Sequence, residues 1–361
     1  MATGIVSGPQ TRRQFLRTSL IVGGAAAIPS WVLAACGSSS GEGSGGNLTT
    51  MRYQLDWIKN SEFAGFYVAD SEGYYKAEGI TPKFLPGADV ASHEAVVAGG
   101  GAEVGTSSFL SRIVDAVNSG ADLVVLGAGF QQSPIGLMSM SKNPVTTAKD
   151  ILGKKIGLQE GATSEIKLIL QLNGLDPNDW TEVPVGYDPT PLLHGQVDAY
   201  YAYLTNQPLI FEDMGLKEGK DFEVVSFQDL GWYQYGFLFI TKRSYLDQNR
   251  DKALGFLRAT IKGWERTIED PKLGIELTMN TYGKNLGLKE HTETATLNAQ
   301  LPLMQSDLTK EKGIYWMDLD LLAGKMYDAL RKGGRTKLPD PDKLVDLSVL
   351  KDIYGDKNTL V

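Results

Sequence analysis

The chain has one cysteine, Cys36, in 361 residues. Without a second thiol no internal disulfide can form, so an oxidising space outside a cell membrane would add no staple and stability must come from the core. Histidine is nearly as scarce. His93, His194 and His291 stand far apart, none at a metal-ligand spacing, so each reads as a surface or helix residue and no metal site is expected. Gly37 to Gly41 matches Gly-x-Ser-x-Gly only within a Gly/Ser-rich run, with no strand-to-helix turn to make it an elbow; there is no zinc-ligand pair and no phosphate-cradling glycine loop, and the glycines at 99–101 lack fingerprint spacing and read as a turn. Nothing supplies an activated nucleophile, a metal or a cofactor, so the chain is expected not to be an enzyme and to need no cofactor. Positive charge is also short, with 35 Lys and Arg against 43 Asp and Glu and a net charge of −8. Such a surface repels phosphate backbones, which argues against a nucleic-acid partner.

What is present begins with the first 36 residues. Arg12 and Arg13 precede an uncharged apolar stretch, 18–35, that closes on Leu33, Ala34, Ala35 and Cys36. A basic start, a short apolar segment and small residues before a cysteine follow the plan of a secretory signal peptide. The paired arginines resemble the twin-arginine type, and the end resembles a bacterial lipobox, whose thiol is diacylated with palmitate-type chains and becomes the new amino terminus. A single transmembrane anchor is the other reading, opposed by Gly23, Gly24, Pro29 and a length at the short end of what spans about 30 Å of hydrocarbon. The expectation is a twin-arginine lipoprotein signal over 1–35, lipid on Cys36, and a Gly/Ser-rich flexible tether over 36–47. That places the protein outside the cytoplasm, anchored by lipid to a bacterial cell membrane. Without the three arginines of the leader, the chain from Cys36 onward has a net charge of about −11.

The body, 48–361, is long enough for two lobes. Apolar alternation predicts strands at 52–57, 81–85, 103–107 and 123–126, with helical spacing at 62–70, 92–98 and 110–118. A second series follows: strands at 136–140, 155–158, 182–185 and 197–203, with helices near 146–152 and 164–172. The alternation predicts α/β lobes with mostly parallel sheets. Residues 127–133 read as a crossing between lobes and 230–235 as the return. Long amphipathic stretches at 251–268, 274–282, 292–304 and 319–332 would pack on the first lobe. The lobes are expected over 48–130 plus 236–361 and over 131–235.

Leu55, Asp56, Trp57, Ile58, Lys59 and Asn60, then Gly65, Phe66, Tyr67, Val68 and Ala69, then Gly73, Tyr74, Tyr75, Lys76, Ala77, Glu78 and Gly79 resemble the ABC-importer substrate-binding proteins of the nitrate, sulfonate and thiamine-pyrimidine group. Leu152 to Gly157, and Thr205, Asn206, Gln207 and Pro208, extend the resemblance over nearly the whole chain. It implies the bilobal type II periplasmic-binding-protein fold with two hinge crossings, a small-molecule ligand gripped by closure, ABC permease and ATPase partners, and a monomer. Members that handle the thiamine pyrimidine often carry a histidine where this chain has Phe63. The related eukaryotic pyrimidine synthases use that histidine and a cysteine-rich iron site, and this chain has Phe63 and a lone cysteine instead. A synthase is therefore disfavoured.

Ligand sites in α/β lobes form beyond the carboxyl ends of strands. The loop after the first strand offers Trp57, Asn60, Phe63 and Tyr67, and the strand 103–107 ends on Ser107. In the second lobe Gly161, Thr163 and Ser164 stand at a predicted helix start, where plain capping is the alternative. Tyr203, with Tyr200 and Tyr201 beside it, and Trp232 and Tyr235 near the return crossing offer flat faces with polar tips, suited to a planar heteroaromatic ring. Gln131 and Asn206, with Gln132 and Gln207, are amides that could serve ring nitrogens and carbonyls. The expected ligand is a thiamine-pyrimidine precursor or a flavin-like compound. The alternative, a sulfonate, taurine or nitrate receptor, would want cations near the cleft, and only Lys59 and Arg112 offer themselves.

Overall fold

The computed structural model describes residues 48–88, 90–159 and 162–361. The leader, Cys36, the tether and Gly161 lie outside the described residues. Ten strands form two five-stranded sheets. The first contains β1 (Thr49–Gln54), β2 (Ile80–Leu85), β3 (Val104–Ser107), β4 (Leu123–Phe130) and β10 (Gly236–Lys242), in the order β2-β1-β3-β10-β4. The second contains β5 (Ile135–Met140), β6 (Lys155–Leu158), β7 (Thr181–Pro184), β8 (Ala199–Tyr203) and β9 (Phe222–Ser226), in the order β7-β6-β8-β5-β9.

The sheets are mixed rather than mostly parallel. β1 pairs in parallel with β2 and β3, and β6 with β7 and β8, while β10 runs antiparallel to β3 and β4, and β5 to β8 and β9. The crossings dictate this. The chain leaves the first sheet at the end of β4 and returns at the start of β10, with Phe130 opposite Gly236, so the returning strand must run against the departing one. The crossings are tied together: Ser133 N donates to Gln234 O at 3.0 Å and the Tyr233 hydroxyl to Gln131 O at 3.1 Å. β4 runs on through Phe130, so residues 127–130, expected within the first crossing, are strand.

Helices cover most strands of both sheets, with the edge strand β7 left exposed. Arg250–Glu269 spans 20 residues and buries Ala253, Phe256, Leu257, Thr260, Ile261 and Trp264, the three-to-four spacing of a single helical face. It crosses the helix Ala64–Ser71 at two glycines, where backbones nearly touch. A Cβ on Gly263 would lie 2.0 Å from Gly65 O, and one on Gly65 would lie 2.3 Å from the Trp264 ring. The later amphipathic stretches are broken where continuous helices were predicted: 292–304 resolves into Glu290–Gln300 followed by a 3₁₀ turn, and 319–332 carries a π-helical turn at Leu322–Met326. The stretch 146–152 is a 3₁₀ turn, Ala148–Ile151, started by a Thr147/Asp150 capping box. Among the described residues no helix is long and apolar enough to cross a membrane.

Candidate functional site

The parallel strands of both sheets aim their carboxyl ends at one cavity that opens to solvent on one side. Asp56 and Trp57 follow β1, Gly87 and Ala88 follow β2, Ser108 and Phe109 follow β3, Gln159 follows β6, and Tyr201 and Tyr203 end β8. Glu62, His93, Arg112 and Gln207 complete the polar wall. Gly87 is glycine because the β2 loop presses on the β1 loop. A Cβ there would sit 2.0 Å from Leu55 O, and Gly87 N donates to Trp57 O at 3.0 Å.

The first-lobe wall is acidic. Ser108 gives its proton to an Asp56 carboxylate oxygen, so the hydroxyl of Tyr203, 2.5 Å away, must donate to Ser108. This chain of hydroxyls joins the two lobes. Burial raises the Asp56 carboxyl above its ordinary range, opposed by His93 and by the Ser108 hydrogen bond. Glu62 is pushed well above the carboxylate range, first by burial and then by the neighbouring Asp56. The wall's arginine is already engaged: Arg112 pairs with Glu94 at 3.0 Å and donates to Ala91 O at 2.9 Å. His93 Nε2 lies 3.0 Å from Gly87 O, which fixes that nitrogen as a donor.

Three acceptors on this wall have no hydrogen-bond partner among the described residues: Asp56 Oδ1, Glu62 Oε1 and Gln159 Oε1. The Gln159 assignment is firm, because its Nε2 is held by Tyr200 OH at 2.8 Å and Gly186 O at 3.2 Å. Aromatic faces surround these acceptors. Phe109, Tyr201 and Tyr203 line the cavity, and Trp57 meets Tyr187 across the cleft with ring centroids 6.0 Å apart. The arrangement is suited to a flat apolar ring that carries N–H donors.

Of the side chains expected at the ligand, Trp57 and Tyr203 line this cavity, as do Tyr201, Gln207 and Arg112, which were offered beside them. The others are placed elsewhere, each for a physical reason. Phe63 is core, its ring 5.5 Å from Phe237, and Tyr67 stacks on Tyr282 at 4.2 Å. Ser107 donates to Glu94 behind the wall. Asn60 is 1% exposed at the start of the Ser61–Phe63 turn. Gln131 reaches Trp316 O at 3.0 Å, outside the cavity. Thr163 donates to Glu182 at 2.7 Å, and the Ser164 hydroxyl faces Glu165 at 3.5 Å. Asn206 donates to Thr296 at 2.9 Å. Trp232 and Tyr235 belong to the return crossing, where Trp232 Nε1 donates to the buried Glu165 at 2.7 Å and the Tyr235 hydroxyl accepts from Asp318 N at 2.8 Å. Asp56, Glu62 and Gln159 fall inside the loops 56–66 and 159–164 that the strand-end rule points to, but neither they nor Ser108 stand out there as contacts, and His93, on a helix as expected, also faces the cavity. Asp56, Ser108 and Gln159 stand within two residues of a strand's carboxyl end, which was the available signal.

A model of the family described as NMT1/THI5 like matches residues 60–273. The chain belongs to this family. Relatives include a riboflavin-binding protein, RibY, of Chloroflexus aurantiacus, 24% identical over 292 residues, which cover 79% of this chain and 81% of that protein. Another is the 4-amino-5-hydroxymethyl-2-methylpyrimidine phosphate synthase of Legionella pneumophila, 26% identical over 226 residues, 62% of this chain and 71% of the relative. Among solved structures, the periplasmic aliphatic sulphonate binding protein SsuA of Escherichia coli aligns with a TM-score of 0.56 at 19% identity, covering 83% of this chain and 91% of that one. The NMT1/THI5-like chain therefore has the bilobal periplasmic-binding-protein fold, built from two mixed α/β sheets.

Proposed function

We propose that this protein is an extracytoplasmic lipoprotein receptor of an ABC importer, held by lipid on Cys36 after twin-arginine export, and that it captures a single-ring, amino-substituted heteroaromatic compound without turning it over. The lobes are taken as 48–130 plus 236–361 and 131–235; the strands of the two sheets fall on either side of those limits. The observation that carries the ligand class is the set of partnerless acceptors on Asp56, Glu62 and Gln159, in a wall whose one arginine is paired with Glu94. Buried acceptors without partners are unfavourable, and ligand N–H groups relieve that penalty. A sulfonate or nitrate would bring further acceptors against two carboxylates, with no unpaired lysine or arginine among the described lining residues. An aminopyrimidine's amino group brings two N–H donors to these acceptors where a flavin ring offers one, which is the ground for preferring a single amino-substituted ring. The names of two relatives, one a riboflavin-binding protein and one a synthase of an aminopyrimidine phosphate, support the heteroaromatic class.

Thermal unfolding with 4-amino-5-hydroxymethyl-2-methylpyrimidine, riboflavin, taurine and nitrate in parallel tests the assignment. A rise in midpoint with the aminopyrimidine, and product-free recovery of the compound, is the expected result. A rise with taurine or nitrate alone would move the protein to the anion receptors, and conversion of the pyrimidine would make it an enzyme.

A further inference from the structure

The helix Glu290–Gln300 contacts both lobes yet contributes nothing to the cavity wall. Its buried residues are Thr292, Glu293, Thr296, Leu297 and Gln300, four polar side chains of five, where a helix packed on a core ordinarily presents apolar ones. These polar groups reach in two directions. Toward the first lobe they take hold of Ser61: the Ser61 amide donates to Glu293 Oε2 at 2.8 Å, its hydroxyl to Glu293 O at 3.0 Å, and Gln300 Nε2 donates to the Ser61 carbonyl at 3.0 Å. The next residue is Glu62 of the cavity wall.

Toward the second lobe, Thr296 accepts from Asn206 Nδ2 at 2.9 Å, while the Thr292 hydroxyl and His291 Nε2 both meet the Asp213 carboxylate. Asn206 and Asp213 bracket the short helix Gln207–Asp213, which packs under β8 and whose first residue, Gln207, lines the cavity. One helix thus grips the turn that carries a cavity carboxylate and, from the same buried face, the segment that carries the opposite wall.

We infer that Glu290–Gln300 is a closure latch in which Thr292 and Thr296 hold the second lobe against the first through Asp213 and Asn206, while Glu293 and Gln300 set the turn bearing Glu62. Lobe closure and placement of the cavity acid are then a single event, and Thr292, Thr296 and Asp213 are positioning residues that act on the ligand only through the lobes. The inference needs the two lobes and no particular ligand.

The test uses the full chain with Cys36→Ser and spin labels at Lys83→Cys on β2 and Thr181→Cys on β7, exposed positions on the sheet edges farthest from the crossings. Electron–electron distance measurements without added compound read the balance of short and long separations. Thr292→Val with Thr296→Val removes the two hydroxyls and keeps their shape. It is expected to lower the short-to-long ratio by about thirtyfold or more, the effect of losing a hydrogen bond to a charged group together with a neutral one, and Thr292→Ser with Thr296→Ser is expected to restore it. Asp213→Ala attacks the same contact from the other helix and must lengthen the separation too if the valine pair does not fold. An unchanged distribution in a folded valine variant, or a parent chain with no short-separation population, overturns the latch. Neither outcome bears on which compound is bound.

Discussion

Glu62 concentrates the conflict between stability and binding in this protein. It is 4% exposed, no cation lies against it, and one of its oxygens has no partner among the described residues. Above the pH at which the folded chain releases the Glu62 proton, Glu62→Gln removes a buried charge, so unfolding calorimetry there should show a gain of about 1–2 kcal/mol, while affinity for the aminopyrimidine in titration calorimetry should fall roughly tenfold to a hundredfold. A loss of both, or of neither, would mean that the carboxylate is not the ligand's acceptor. The same residue sets a pH dependence. Asp56 and Glu62 are both raised by burial, so between the ordinary carboxylate range, about pH 4–4.5, and their higher folded values the folded chain holds protons that the unfolded chain has released. Stability must therefore fall as pH rises through that window and level off above it. Thermal midpoints across pH should show this slope in the parent chain and a shallower one in Glu62→Gln. These acids were hard to read as a site because a carboxylate in a sequence looks like a solvated surface charge until burial and missing partners are known. Trp57 and Tyr203, by contrast, were legible as flat faces near strand ends.

Among the elements, the return crossing shows what sequence conceals. Trp232 and Tyr235 were read as stacking faces, and they serve the hinge because their polar tips find a buried carboxylate and a backbone amide there. Glu165 receives the Trp232 ring nitrogen on one oxygen and the Ser111 hydroxyl on the other, which links the helices Leu110–Asn118 and Thr163–Leu172 of opposite lobes to the crossing. Trp232→Phe keeps most of the packing and leaves a buried carboxylate oxygen bare, so a loss of about 1–3 kcal/mol is expected in denaturant unfolding. Restoration of the parent value by Glu165→Gln in the Trp232→Phe background would show that the bare charge is responsible. The alternating βα series was legible because each segment carried its own period. β9 and β10 were not read as strands. β10 is buried on both faces and offers the run Phe237, Leu238, Phe239 and Ile240 without alternation, and its direction depends on where the chain re-enters the sheet, a tertiary fact.

For the molecule as a whole, charge and anchoring pull apart. From Cys36 onward the chain has a net charge of about −11 and is repelled by anionic headgroups, and no described helix is long and apolar enough to cross a membrane. The membrane retention proposed above would then rest on the stretch before Cys36 or on Cys36 itself, two routes with different chemistry. In the proposed route the leader is cleaved and Cys36 carries the acyl chains; two chains hold a protein stably where one gives only marginal binding. In the other route the apolar stretch 18–35 stays attached and spans the bilayer, and the thiol is incidental. Cys36→Ser separates them. If the thioether lipid is the anchor, the variant should leave the detergent phase for the aqueous phase on phase partitioning, and its response to the aminopyrimidine should be unchanged, because the cavity is built from residues 56 to 207. Retention in the detergent phase, with the leader still present by mass, would assign the anchor to the uncleaved stretch.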